Sequence, residues 1–171
     1  TLVSGQTRNG KITFEQYIQA AGFDSILQAA NRHLLPMSDN QFQLYRQTNA
    51  VGKQTNTFLD LEVLDISTGK RRPVGNLSGG ESFKASLSLA LGLSDTIAEN
   101  RGGIQMDALF VDEGFGTLDS KSLEETKDAL LSMSGENKLV GIISHRDELM
   151  DIPQKLRVTK GRGGSRIQME L

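Results

Sequence analysis

Three short stretches hold side chains whose types and spacing suit phosphate chemistry. In Leu77-Ser-Gly-Gly-Glu81, a serine and two glycines stand at the mouth of a long apolar run that begins at Phe83. The first amides of a helix lack intrahelical partners and carry the positive end of its dipole, so they attract anions. Glycine lets the backbone approach closely, and a serine hydroxyl adds a donor. Asp112-Glu113 follows the apolar run Ala108-Leu-Phe-Val111. Two carboxylates after a buried strand lie at its C-terminal end, where open α/β sheets bind ligands. One acid there can help hold Mg2+, often through water, and another can orient or deprotonate an attacking water. His145 follows a similar run, Leu139-Val-Gly-Ile-Ile143, and can hydrogen-bond a transferring phosphoryl group.

Each stretch also has a plain structural reading. Ser78 can cap a helix with Gly79 and Gly80 making the turn. Asp112-Glu113 can be an acidic loop after a strand, and His145 a polar strand end. Gly116-Thr-Leu-Asp119 lies between the acids and the next helix, where Asp119 can cap that helix or meet a partner subunit. Gly52-Lys53-Gln54 is no phosphate loop: no Ser or Thr follows in register and no glycine stands five positions upstream.

Thr13 and Gln16 fit a capping box, and apolar residues from Phe14 to Leu34 recur at helical spacing, with Gly22 weakening the middle and Pro36 closing the helix. His33, near its end, reads as a structural histidine. Residues 41–46 alternate like a strand with Phe42 and Leu44 on one face. Residues 58–66 form another, with Leu59, Leu61 and Val63 on one face. Ser67-Thr-Gly-Lys70 then turns into Arg71-Arg-Pro-Val74 as a hairpin. The helix after Gly80 carries Phe83, Leu87, Ala90 and Leu91 as one stripe and ends near Arg101-Gly-Gly. Residues 108–111 and 139–143 are strands buried on both faces, separated by a helix over 120–133. Residues 152–160 and 165–170 close the chain as a hairpin. From 77 to 144 the order helix, strand, helix, strand indicates a parallel α/β fold.

Bulk composition narrows the classes. The chain has 171 residues, 37% hydrophobic and 23% charged, enough for one domain with its own core. No apolar stretch approaches the roughly 20 residues needed to span a bilayer. Without cysteine there are no disulfides and no thiolate metal site. A net charge of −2 does not announce nucleic-acid binding, though it leaves room for a local basic surface. The absence of Trp and the few aromatics argue against a single-strand stacking platform. The chain opens on Thr1 and reads as part of a longer protein.

Taken in order, these motifs resemble the C-terminal lobe of an ABC-type ATPase head. Leu77-Ser-Gly-Gly-Glu81 looks like the signature motif, Ala108-Leu-Phe-Val-Asp-Glu113 like the Walker B strand, Gly116-Thr-Leu-Asp119 like the D-loop and His145 like the switch histidine. Transporter subunits typically follow the acids with proline. Here Asp-Glu-Gly-Phe-Gly-Thr-Leu-Asp is similar to the SbcC family of SMC-like ATPases. Lys11-Ile-Thr-Phe-Glu-Gln-Tyr17, Leu35-Pro-Met37 and Gly69-Lys-Arg-Arg-Pro-Val74 agree with that family, while residues 1–12 and the tail after about 160 are less specific.

The resemblance implies a P-loop-type α/β half-domain. Residues 1–36 would lead in from a coiled-coil root, and residues 37–171 would form the lobe. It implies ATP and Mg2+ as cofactors. Ser78, Gly79, Gly80 and Glu81 would contact the nucleotide held by a second head, with Asp119 at the dimer. Asp112 would serve Mg2+, Glu113 the hydrolytic water and His145 the γ-phosphate. The implied partners are a Walker A lobe of the same protein, a second head, an SbcD-type nuclease subunit and DNA, in the bacterial cytoplasm and away from membranes. The alternatives are another SMC-like DNA-repair ATPase, a transporter lobe, or a non-catalytic scaffold or DNA-binding module. Intact Asp112, Glu113 and His145 speak against the last.

Overall fold

The computed structural model describes residues 6–7, 10–11, 14–47, 59–100, 108–134 and 139–170. Two short strands, β1 (Gln6–Thr7) and β2 (Gly10–Lys11), pair antiparallel ahead of the first helix, α1 (Phe14–Met37). The helix buries Leu27, Ala30, Leu34 and Met37, spaced three and four residues apart along one face. The capping threonine read from the sequence, Thr13, lies outside the described residues. Pro36 does not end α1, because the helix runs on through Met37. Closure comes instead from a Schellman arrangement: Asn40 N–H donates to Leu35 O at 2.8 Å and Asp39 N–H to Pro36 O at 3.4 Å. Asp39 and Asn40 both take positive φ (51° and 56°), which these two residue types tolerate.

A three-stranded antiparallel sheet follows, β3 (Phe42–Arg46), β4 (Leu61–Asp65) and β5 (Arg71–Pro73), in the order β3-β4-β5. Phe42, Leu44 and Val63 point inward and are buried with Leu27 and Leu34. The strand expected from residue 58 begins later, at Leu61. Leu59 sits in the preceding turn and is exposed, and Phe58 lies outside the described residues. Asn31 covers the edge of β3: its amide donates to Leu44 O and its carbonyl accepts from Leu44 N, both at 2.8 Å. That satisfies backbone groups which an edge strand would otherwise leave open.

Helix α2 (Gly79–Asn100) is shared by two apolar clusters. Leu87 and Leu91 join one, and Ala85 the other. Ala90, read from the sequence as part of the stripe, is exposed instead, because the buried surface of α2 wraps toward Lys84, Ser88 and Ser94. At Gly92 the helix meets α1 with no room for a side chain: a Cβ there would lie 2.4 Å from Ala30 N. His33 ties the same two helices, its Nε2 2.7 Å from Asp95 Oδ2, which is the structural role expected of it.

Strands β6 (Ala108–Asp112) and β7 (Leu139–Ile143) pair in parallel, with helix α3 (Ser120–Met133) between them in sequence. Leu109, Val111, Val140 and Ile142 share one face and pack with Leu87, Leu91, Phe115, Leu123 and Leu130. The sequence predicts cover on the opposite face too, and the structure does not provide it. Phe110, Leu139 and Ile143 are 64%, 61% and 52% exposed, because the helices of the described residues pack on one side of the pair. A final antiparallel hairpin joins β8 (Lys155–Gly161) to β9 (Gly164–Glu170). Its first strand starts three residues later than the sequence suggests, since Ile152 turns into the core and Pro153 lies in a bend. No helix among the described residues is long and apolar enough to cross a membrane.

Candidate functional site

The parallel register sets Asp112 opposite Ile143, so the C-terminal ends of β6 and β7 are level. One more ladder bond carries the pairing past the strand: Glu113 N–H donates to Ile143 O at 2.9 Å. Two residues beyond Ile143, His145 reaches back, and its Nδ1 lies 3.2 Å from Glu113 Oε1. The imidazole N–H donates and the carboxylate accepts. Both side chains are open to solvent, as is Asp112.

The backbone at this point is unusual. Glu113 has φ +58°, a left-handed conformation that costs a non-glycine residue about 1 kcal/mol or more. Gly114 follows at φ +92°, and a Cβ there would stand 2.3 Å from the Phe83 ring. Phe83 in turn meets Phe115 edge-on, with centroids 5.0 Å apart. The acidic turn is thereby packed directly onto the first turns of α2.

Asp112 and Glu113 supply hard oxygen donors, the type Mg2+ prefers. Among the described residues no group of three or more acidic, histidine or cysteine side chains converges as a complete metal cage. Mg2+ is usually held by one or two carboxylates together with phosphate oxygens and water, so this sparse donor set fits it.

Ser78 caps α2 through a reciprocal pair. Its Oγ accepts from Glu81 N–H at 3.3 Å, and its own N–H donates to Glu81 Oε2 at 2.7 Å. This is a capping box, and the Ser-x-x-Glu spacing is the signal that marks it. The Ser78 hydroxyl proton is not used by this cap, so the residue can still donate. Glu81 also accepts from Arg72 of β5 at 2.8 Å, while Arg72 donates to Asn76 O at 2.7 Å. Burial pushes the Glu81 carboxyl up, but the Ser78 amide and the Arg72 guanidinium outweigh it and hold the group below its ordinary value.

The glycines after Ser78 lie against the loop that follows the acids. A Cβ on Gly80 would be 3.2 Å from Thr117 O, and one on Gly79 would be 3.3 Å from Thr117 Cβ. Asp119 ends that loop as the N-cap of α3, accepting from Ser122 N–H at 2.8 Å, and this bond lowers its carboxyl pKa. Lys84 links the two helices. From a buried position on α2 it donates to Ser122 Oγ at 2.9 Å and reaches Glu125 Oε2 at 3.3 Å. Sequence reasoning misses Lys84 and Arg72. A lone lysine within the apolar run of α2 is the available signal for the first.

The candidate residues therefore fall into two groups. Asp112, Glu113 and His145 gather at the strand ends. Ser78, Gly79, Gly80, Glu81 and Asp119 lie along the α2–α3 surface, and among the described residues Ser78 has no hydrogen bond to the Glu113–His145 pair.

Residues 50–131 match the family described as SbcC/RAD50-like, Walker B motif. This is an SbcC/RAD50-like Walker B region. The match takes in Ser78, the acid pair and Asp119 but stops short of His145, which the sequence also singles out and which the structure brings to 3.2 Å from Glu113. The SbcC-like chain is 43% identical over 158 residues, 92% of its length, to the SbcC subunit of the nuclease SbcCD from Staphylococcus aureus strain JH9, and equally to that of strain Newman. It spans about 15% of the length of these curated relatives. Among solved structures it is similar to one from work on ATP-driven dimerisation and DNA-stimulated activation of SMC ATPases. That pair has a TM-score of 0.70 at 15% identity, covering 91% of this chain and 89% of the other. The SMC head domain from Thermotoga maritima gives 0.58 at 17% identity, covering 90% and 50%. At such identities the likeness is one of fold: the SbcC-like region has the mixed α/β fold of an SMC ATPase head.

Proposed function

We propose that this chain is the C-terminal lobe of an SbcC-like ATPase head. In this reading residues 1–36 lead in from a coiled coil, and residues 37–171 close on ATP together with a Walker A lobe and a second head. The contact between Glu113 and His145, beside Asp112 at level strand ends, carries the reading. It offers a carboxylate able to orient a water and an imidazole able to donate to a phosphate, at the end of the sheet where ligands bind. Asp112 would hold Mg2+, which when bound would neutralise charge on the nucleotide's phosphates. Glu113 accepts the proton of the attacking water, and His145 hydrogen-bonds the γ-phosphate. Gly79 and Gly80 present amides, and Ser78 a hydroxyl, to the nucleotide carried by the partner head. Glu81 keeps that serine in place, and Asp119 lies at the dimer contact.

Because the curated relatives are nuclease subunits, the ATP cycle is proposed to control an SbcD-type nuclease acting on DNA ends and hairpins. The test uses the whole protein carrying Glu113→Gln. ATP binding should persist, hydrolysis should fall by about 100-fold or more, and light scattering should show an ATP-bound dimer accumulating. Turnover near wild type would remove Glu113 from the role of base.

A further inference from the structure

The β8–β9 hairpin sorts its residues by register. Leu156 pairs with Met169 and Val158 with Ile167, giving one apolar side whose members are 62–70% exposed. The other side holds Lys155, Arg157, Thr159, Arg166, Gln168 and Glu170, because paired residues share a face. Residues 155–170 contain five cations against the single anion Glu170, in a chain whose net charge is −2. Glu170 is occupied near the base of the hairpin, accepting from Arg157 Nε at 2.8 Å with Lys155 Nζ 3.7 Å away. Lys160, Arg162 and Arg166 are exposed and have no acidic partner among the described residues.

These three lie together at the tip. Thr159↔Arg166 and Lys160↔Ser165 are the last pairs before Gly161↔Gly164, and Arg162 sits in the two-residue turn. Lys160, paired with Ser165, projects from the apolar side and Arg166 from the polar side, with Arg162 in the turn between them, so the three cations surround the tip within roughly 10 Å along the ribbon. Gly161, Gly163 and Gly164 keep the tip narrow, and side chains added at Gly163 or Gly164 would meet open space. A small phosphate ligand would need an enclosing pocket, and the tip is open on every side. An anionic bilayer would favour apolar residues at the tip, and the apolar residues lie toward the base. A narrow tip with unpaired cations on both faces instead suits the phosphates that flank a groove of duplex DNA.

We infer that the hairpin tip, through Lys160, Arg162 and Arg166, is a sequence-independent contact for the phosphate backbone of duplex DNA. This goes beyond the ATPase reading and rests on it only for the choice of duplex DNA. The test compares the whole protein with its Lys160→Gln/Arg162→Gln/Arg166→Gln variant, using fluorescence anisotropy of a labelled blunt duplex across a KCl series. Each phosphate contact contributes about 0.9 to the slope of log K against log salt, so the variant's slope should be shallower by roughly 2–3. Its affinity at low salt should fall at least about tenfold.

Arg162→Gln alone, at the exposed turn, should lower the slope by about 0.9. An Arg162→Lys/Arg166→Lys variant should retain the wild-type slope, since charge is what counts. ATP-dependent dimerisation without DNA should be unchanged in all of them. Unchanged slopes in both glutamine variants overturn the inference, as does loss of binding in the charge-conserving variant. Loss of binding to anionic vesicles while duplex binding stays intact also overturns it. Failure of the wild type to dimerise on ATP would instead strike the ATPase reading and leave the slope comparison standing.

Discussion

His145 Nδ1 lies 3.2 Å from Glu113 Oε1, although the two residues are 32 positions apart in the chain. Neither side chain is held by burial. What brings them together is backbone: the parallel register of β6 and β7, the extra bond from Glu113 N–H to Ile143 O, and the left-handed turn at Glu113. The pair is open to solvent, so under the proposed function a phosphate has access to both side chains.

His145→Gln keeps a donor near the phosphate but cannot carry positive charge. In the whole protein it should lower kcat by about 10- to 100-fold while changing the Kd for ATP less than about threefold, which stopped-flow phosphate release and equilibrium binding would separate. An equal loss in both would make His145 a binding residue rather than a transition-state one.

The cap of α2 should respond to acid. The Glu81 carboxyl stands below its ordinary 4.5 in the folded chain. A depressed folded value means the group stabilises the fold above its unfolded pKa and loses that contribution as pH falls through the folded one. Wild-type Tm should therefore drop between about pH 5 and 3, and Glu81→Gln should show a lower Tm at neutral pH with a smaller drop over the same interval. Melting followed by circular dichroism measures both. Parallel curves would show that Glu81 contributes nothing to the acid limb.

Gly92→Ala tests the crossing of α1 and α2. The added methyl would meet Ala30 N at 2.4 Å and Ile26 O at 2.8 Å, both backbone atoms that cannot swing away. Urea unfolding should show a loss of about 1–3 kcal/mol, outweighing the helix propensity gained by removing a glycine.

Much of the fold is legible in local pattern. Helix α3 can be read at 120–133 because its apolar stripe and the Asp119 cap are both written within a few residues, and the structure gives Ser120–Met133 with that cap. The strands β6 and β7 and their parallel pairing follow from apolar runs separated by a helix. Pattern fails where distant residues decide. The run Ala108-Leu-Phe-Val111 looks symmetrically apolar, yet Phe110 is exposed because the surrounding helices lie on one side. Arg72–Glu81 and Lys84–Ser122 join different elements and leave no periodic trace in the sequence. Pro36 looks like a helix stop, but the stop is made by the left-handed pair Asp39 and Asn40 just after it.

In the proposed dimer Ser78 of one head completes the site built on Glu113 of the other, and mixing two variants separates this trans arrangement from a cis one. Whole protein carrying Ser78→Ala and whole protein carrying Glu113→Gln should each hydrolyse ATP poorly alone. The serine variant should fall by about tenfold or more, as expected for losing a hydrogen bond to a charged group. In a mixed dimer one of the two sites regains an intact Ser78 and an intact Glu113, while the other has lost both. An equimolar mixture allowed to exchange should therefore recover up to about a quarter of wild-type turnover, since half the dimers are mixed and each holds one complete site. A mixture no more active than the average of its two components would place Ser78 and Glu113 in the same site on the same chain, and would overturn the trans arrangement.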